Sequence, residues 1–172
     1  MKAYLAGSIF YYGDELRNRE WAAKIRAAIP DIDLYSPIEN TDINGTEGKK
    51  KFGSPIMIAR ADNDRLDKSD VLIACLDGDV IPAGTCAEVG KFHEKIARGD
   101  EKLLVGIMTD NRQCCLTYSE AKDMGGRMIG AQQYSYQNIY VTGLIHDVGY
   151  LYTNIEDVIQ CIQTWNNGYS IY

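Results

Sequence analysis

Residues 71–90, VLIACLDGDVIPAGTCAEVG, carry the strongest structural signal in the chain. Val71 to Leu76 is an unbroken apolar run, the pattern of a strand covered on both faces. Asp77-Gly78 closes the run, a loop holding Gly78 and Gly84 follows, and helical spacing lasts from about Thr85 to Arg98. Upstream, Pro55 suits the first turn of a helix that continues through Ile56, Ile58, Ala59 and Leu66 until Ser69-Asp70 breaks it. Ala3 to Ala6 reads as a short buried strand closed by Gly7-Ser8. Asp14 is placed to cap a helix reaching about Ala28, with Leu16, Ala22, Ala23 and Ile25 near one face and Arg17, Arg19 and Arg26 turned outward. Pro30 ends that helix, and Ile32 to Tyr35 forms a second strand stopped by Ser36-Pro37.

Downstream, Lys102 to Ile107 is a fourth strand, followed by an irregular stretch to Gln137 with a short helix around Ser119–Met124. Asn138 to Val141 reads as a last short strand, and Ile155 to Trp165 as a closing helix. The polar stretch from Glu39 to Gly53 has no usable period and is long for a connection, which suits a functional lid or a mobile loop. Strands alternating with helices imply right-handed crossovers and a mostly parallel sheet of about five strands with helices on both faces. The expectation is one flavodoxin-like (Rossmann-like) α/β domain over residues 1–172.

Composition narrows the function classes. The 172 residues suit one domain, and 45% apolar with 24% charged residues is ordinary for a globular chain. A net charge of −6 would repel a phosphate backbone, and Lys49-Lys50-Lys51 reads as a solvated loop, so no nucleic-acid partner is expected. No apolar run approaches the ~18 residues that cross a bilayer, and Gly7, Ser8 and Gly13 interrupt the opening stretch, which argues against a signal peptide. A cytoplasmic protein without a membrane partner is the expectation. Cys75, Cys86, Cys114, Cys115 and Cys161 contain no C-x-x-C pair, so neither a disulfide framework nor a metal site is expected.

In open parallel sheets ligands bind outside the carboxyl ends of the strands. That rule points to Gly7–Phe10, Pro37–Asn40, Asp77–Glu88 and Thr109-Asp110. Glu88 falls in the first turn of the expected helix, where the dipole favours the ionised form that a nucleophilic carboxylate needs. Gly84 lets a ligand approach the backbone and Gly90 lets the helix pack tightly. No P-loop or G-x-G-x-x-G pattern occurs. A receiver-type phosphoacceptor at Asp77 is disfavoured, because Gly7-Ser8 stands where an acidic pair is wanted.

Tyr4-Leu5-Ala6-Gly7-Ser8-Ile9-Phe10, Tyr35-Ser36-Pro37-Ile38-Glu39-Asn40, Asp62, Gly84-Thr85-Cys86-Ala87-Glu88-Val89-Gly90 and Asn138-Ile139-Tyr140 occur in that order. Together they resemble the nucleoside 2-deoxyribosyltransferases and their relatives that hydrolyse deoxynucleoside monophosphates. The resemblance implies that Glu88 attacks C1′ of a 2′-deoxyribonucleoside and forms a covalent deoxyribosyl ester, which a second base or water resolves. It makes Tyr4 the residue that orients Glu88, and Asp62 one that helps hold sugar or base. It places Gly7, Ser8, Phe10, Asn40, Asp77, Asp79, Gly84, Asn138 and Tyr140 in the substrate site. Asn138 would reach the sugar 5′-hydroxyl in a neighbouring subunit's site, which implies a homo-oligomer.

The implied partners are a deoxyribonucleoside and a free nucleobase, in nucleotide salvage, with no cofactor. One departure stands out: Pro82 occupies the place where the family commonly has an Asp that helps protonate the leaving base, and Asp79 or Asp77 are the nearby substitutes. Tyr140 replaces the family's usual Met. Arg112 and Arg127 could bind a 5′-phosphate, the mark of the hydrolase branch. The alternatives are an N-glycosidase acting on deoxynucleosides or their 5′-monophosphates, and a catalytically weak nucleoside- or nucleotide-binding module. His93 reads as a surface or half-buried residue pointing away from Glu88, and His146 as part of a polar turn.

Overall fold

A computed structural model describes residues 1–41, 54–110 and 137–168. Five strands form one sheet in the order β2-β1-β3-β4-β5: β1 (Lys2–Ala6), β2 (Asp33–Tyr35), β3 (Val71–Cys75), β4 (Leu103–Ile107) and β5 (Gly149–Tyr152). Every pairing is parallel. The helices among the described residues are α1 (Tyr12–Ala28), α2 (Pro55–Lys68), α3 (Ala83–Ala97), α4 (Ile139–Val148) and α5 (Ile155–Asn166). The expected flavodoxin-like α/β arrangement is observed.

The apolar runs explain the layering. All five residues of β3 and all five of β4 are buried, as strands with helices on both sides must be. Alternate side chains feed two cores. Leu5, Ile73 and Val105 pack with Trp21, Ile25, Val158 and Ile162 from α1 and α5. Tyr4, Leu72 and Leu104 pack with Leu66, Val89, Phe92, Val141 and Ile145 from α2, α3 and α4. The chain leaves β1 for β2 on one side, while β3 lies on its other side, so a crevice opens at their carboxyl ends.

Several local expectations are corrected. Asn138–Val141 is not a strand. The Asn138 side-chain oxygen accepts from the N–H groups of Tyr140 and Val141, which starts α4, and the fifth strand is Gly149–Tyr152. Its four residues are half-buried and include two large tyrosines, so no continuous apolar run announces it. His146 accordingly lies in the last turn of α4. Helix α1 starts at Tyr12, ahead of Asp14, and buries Asn18, Trp21, Ala22 and Ile25. Leu16 is 51% exposed, and Arg17 folds over the Trp21 ring at 5.4 Å. The bulk of Trp21 and the bond from Asn18 Nδ2 to the Ser8 carbonyl (2.9 Å) set the rotation of this helix. In α2 only Leu66 is buried, and a Cβ at Gly90 would meet nothing within 4 Å. The short helix expected near 119–124 and most of the 39–53 loop lie outside the described residues.

Two glycines are demanded by close approach. A Cβ on Gly149 would collide with the Leu104 carbonyl across the β4–β5 ladder, and one on Gly106 would lie 2.7 Å from Leu151 Cδ1. Gly149→Ala is therefore expected to cost about 3 kcal/mol in urea unfolding. Gly143→Ala, where the added methyl meets nothing within 4 Å, should be neutral or mildly stabilising.

Candidate active site

Tyr4 sits in β1 directly opposite Tyr35 of β2 and Leu72 of β3, and its side chain points to the α2–α3 face. It is 1% exposed. A phenol in that position must find a partner, and its hydroxyl donates to Glu88 Oε1 at 2.7 Å. Helix α3 delivers Glu88 by burying Thr85, Val89 and Phe92 against the sheet.

The electrostatics differ from the expectation. Pro82 is the N-cap of α3, and its carbonyl accepts from the Cys86 N–H at 3.0 Å. Because the helix begins at Ala83, Glu88 is its sixth residue and lies in the second turn, where the dipole has largely faded. Burial dominates instead. It pushes the Glu88 carboxyl up to about 7, with the Tyr4 hydrogen bond pulling down and the Asp62 charge pushing up. Asp62 on α2 is half-buried, and burial raises its pKa as well. Tyr4 is held far above its ordinary value, by burial first and then by the Glu88 charge, and so keeps its proton.

Tyr35 extends this group. Its ring centroid is 5.1 Å from that of Tyr4, its hydroxyl accepts from Asn40 Nδ2 at 3.0 Å, and the Arg65 guanidinium lies 4.8 Å over its ring. Sequence reasoning did not single out Tyr35 and Arg65 as site residues. The available signals were the place of Tyr35 at a strand end and of Arg65 three residues after Asp62 on one helix face.

The other expected site residues fall in distinct places. A Cβ at Gly7 would lie 2.9 Å from Cys75 Cβ, so only glycine lets β1 leave the sheet there. Ser8 donates its hydroxyl to Asp14, whose carboxylate also pairs with Arg17 at 3.1 Å. Phe10 is 84% exposed at the rim. Both Asp77 oxygens are engaged by Thr109, through its N–H at 2.6 Å and its hydroxyl at 2.8 Å, which ties the ends of β3 and β4 together. Gly84 faces open space.

Asp79 and Asn138, with Val80, Ile81, Cys86 and Gln137, line a cleft of about 360 Å³. Cys86 precedes Glu88 by two residues, about 200° of helical rotation, so this cleft opens on the opposite flank of α3. Tyr140 is 71% exposed beside it. His93 Nε2 contacts Asp147 Oδ2 at 2.7 Å and links α3 to α4. Arg112 and Arg127 lie outside the described residues, and among the described ones no three His, Cys, Asp or Glu side chains group to hold a metal ion.

A carboxyl titrating near 7 is present in both forms at neutral pH, so it can serve as nucleophile or as acid. Its raised value also has a stability consequence. The native state keeps a proton that the unfolded chain loses near 4.5, so this contribution is present below that pH and lost as pH rises through 7. Glu88→Gln, whose amide oxygen can still accept from Tyr4, is therefore expected to stabilise the fold at pH 8 by roughly 3 kcal/mol. In urea titrations the gap should narrow as the pH is lowered to 5.

Among functionally curated proteins no sequence match is found. A crystal structure of a conserved protein from Enterococcus faecalis V583 superposes with a TM-score of 0.76 at 32% identity, covering 96% of this chain and 98% of that one. An azoreductase from Bacillus anthracis str. Sterne aligns over 97% of this chain and 93% of its own at 12% identity, but its TM-score of 0.38 is too low to bear on the fold. The nucleoside 2-deoxyribosyltransferase family model matches residues 3–160, a span that takes in β1 with Tyr4, α3 with Glu88 and every strand between β1 and β5. On that match the chain belongs to the nucleoside 2-deoxyribosyltransferase family.

Proposed function

We propose that the protein transfers the 2-deoxyribosyl group between nucleobases of 2′-deoxyribonucleosides through a covalent deoxyribosyl ester on Glu88. The observation that carries this reading is the buried Tyr4–Glu88 hydrogen bond beside Asp62, at the crevice between β1 and β3, in a chain of this family.

The chemistry follows from the two environments. Tyr4 donates to one oxygen of Glu88 and leaves the other to attack C1′. The C1′–N bond breaks, its electron pair departs with the base, and the base takes up a proton. Asp62, half-buried on α2 within electrostatic reach of Glu88, is the carboxyl this reading assigns to hand over that proton, which Pro82 cannot. A second base then attacks C1′ and gives its proton back to Asp62, while the ester bond breaks with its electron pair returning to the Glu88 carboxylate. Two inversions give overall retention.

The surroundings of Ser8 favour a nucleoside over its 5′-monophosphate. The Ser8 hydroxyl is taken by Asp14, and the nearby Arg17 is already paired with that same carboxylate. The reading includes a homo-oligomer. Asn138 spends its oxygen on capping α4, which leaves its amide N–H groups to donate to a neighbouring site. Ile139, Tyr140 and Val80 are 58%, 71% and 80% exposed at the same edge and offer apolar surface to a second copy. Such an enzyme fits cytoplasmic nucleotide salvage and uses no cofactor.

Incubation with 2′-deoxyinosine, followed by HPLC, should yield 2′-deoxyadenosine only when free adenine is added. Hypoxanthine release without a new nucleoside would instead assign the N-glycosidase activity, and no reaction with nucleosides or monophosphates would leave a binding module. Glu88→Ala is expected to lower turnover by at least ~10³-fold with the fold intact by circular dichroism. In the wild type kcat/KM should rise with pH up to about 7, as the nucleophile loses its proton.

A further inference from the structure

We propose that Tyr35 is a positioning residue: its ring holds Tyr4 against Glu88 while its hydroxyl holds Asn40. The name nucleophile for Glu88 rests on the reading above, but the coupling argued here is structural and stands apart from turnover.

Tyr4 reaches Glu88 from a buried strand, and on the β2 side its ring rests against one residue. The residue directly opposite on β2 is Tyr35, and the two rings meet tilted at 52° with centroids 5.1 Å apart, the edge-to-face range that aromatic pairs prefer. Tyr35 is itself gripped from two sides. Arg65 lies over its ring at 4.8 Å, and Asn40 Nδ2 donates to its oxygen at 3.0 Å. Arg65 stands three residues after Asp62 on α2, so one helix face sets both the second carboxyl and the cation. Burial is the main cause that raises the Tyr35 hydroxyl pKa, with the Asn40 hydrogen bond opposing it; smaller contributions from Asp62, Arg65 and Glu88 place those three charges within its electrostatic reach. One side chain on β2 thus joins the partner of Glu88, the neighbourhood of Asp62, and the Asn40 amide at the rim. A residue that merely filled space would leave the Tyr4–Glu88 bond independent of it.

The test is a double-mutant cycle read by ¹³C NMR titration of the Glu88 carboxyl, which needs no turnover. Tyr4→Phe removes a hydrogen bond to the charged form and should raise the Glu88 midpoint by about one unit in the wild-type background. The same shift is expected with Tyr35→Phe, which keeps the ring. With Tyr35→Leu, which removes it, the effect of Tyr4→Phe should collapse towards zero. An undiminished shift in the Leu background, with native circular dichroism, overturns the positioning role. If Tyr35→Leu fails to fold, Tyr35→Met, which also removes the ring but keeps more of its bulk, takes its place, and an undiminished shift there overturns the proposal equally. For Asn40, Tyr35→Phe should speed hydrogen exchange of its side-chain amide, and unchanged exchange overturns that half. Absence of deoxyribosyl transfer in the wild type would sink the functional reading and leave this cycle intact.

Discussion

A carboxylate half-buried against the sheet is expensive unless something holds it, and the arrangement of this molecule turns on how that cost is met at Glu88. One hydrogen bond from Tyr4 is the visible compensation, and it is incomplete, since the carboxyl still titrates near 7. The bond requires β1 at the centre of the sheet, with Tyr4 on the α3 face, and α3 seated by Val89 and Phe92. A one-residue slip of β1 would send Tyr4 to the α1 face and leave Glu88 buried without a donor. The parallel register of β1 with β2 and β3 is therefore a condition for the Tyr4–Glu88 bond as much as for the core.

The layering was readable from the chain because it is written in long apolar runs. Val71–Cys75 and Leu103–Ile107 are buried strands, and the continuity of their apolar runs admits few other readings. What escaped depends on partners distant in sequence. Gly149–Tyr152 pairs along an edge where alternation is weak, while Asn138 carries a helix cap that looks like a turn residue until the helix is seen. The rotation of α1 depends on Trp21 and on a bond from Asn18 to the Ser8 carbonyl, neither of which a periodicity count weighs.

At the candidate site, motif order pointed to Glu88, Tyr4 and Asp62, which the structure brings together, but not to the physics acting on them. The dipole argument for an ionised Glu88 assumed a helix starting at Thr85, whereas the start at Ala83 moves the residue two positions inward, into the second turn, and gives burial the larger say. Asp77 reads in sequence as a free carboxylate beside the motif, and in space both its oxygens fasten Thr109. Tyr35 shows the reverse case, an unremarkable strand end that becomes central once Tyr4 lies opposite it.

The two flanks of α3 have a consequence for how such a protein can diverge. Glu88 faces one side of the helix, while Asp79, Val80 and Cys86 line a cleft on the other, and the Pro82 cap between them presets the backbone where the helix begins. Substitutions in the 77–82 loop can reshape that cleft without shifting the carboxylate. The shape of the cleft and the environment of the Glu88 carboxyl thus sit on separately mutable surfaces of one helix, and the first can change while the second stays as it is.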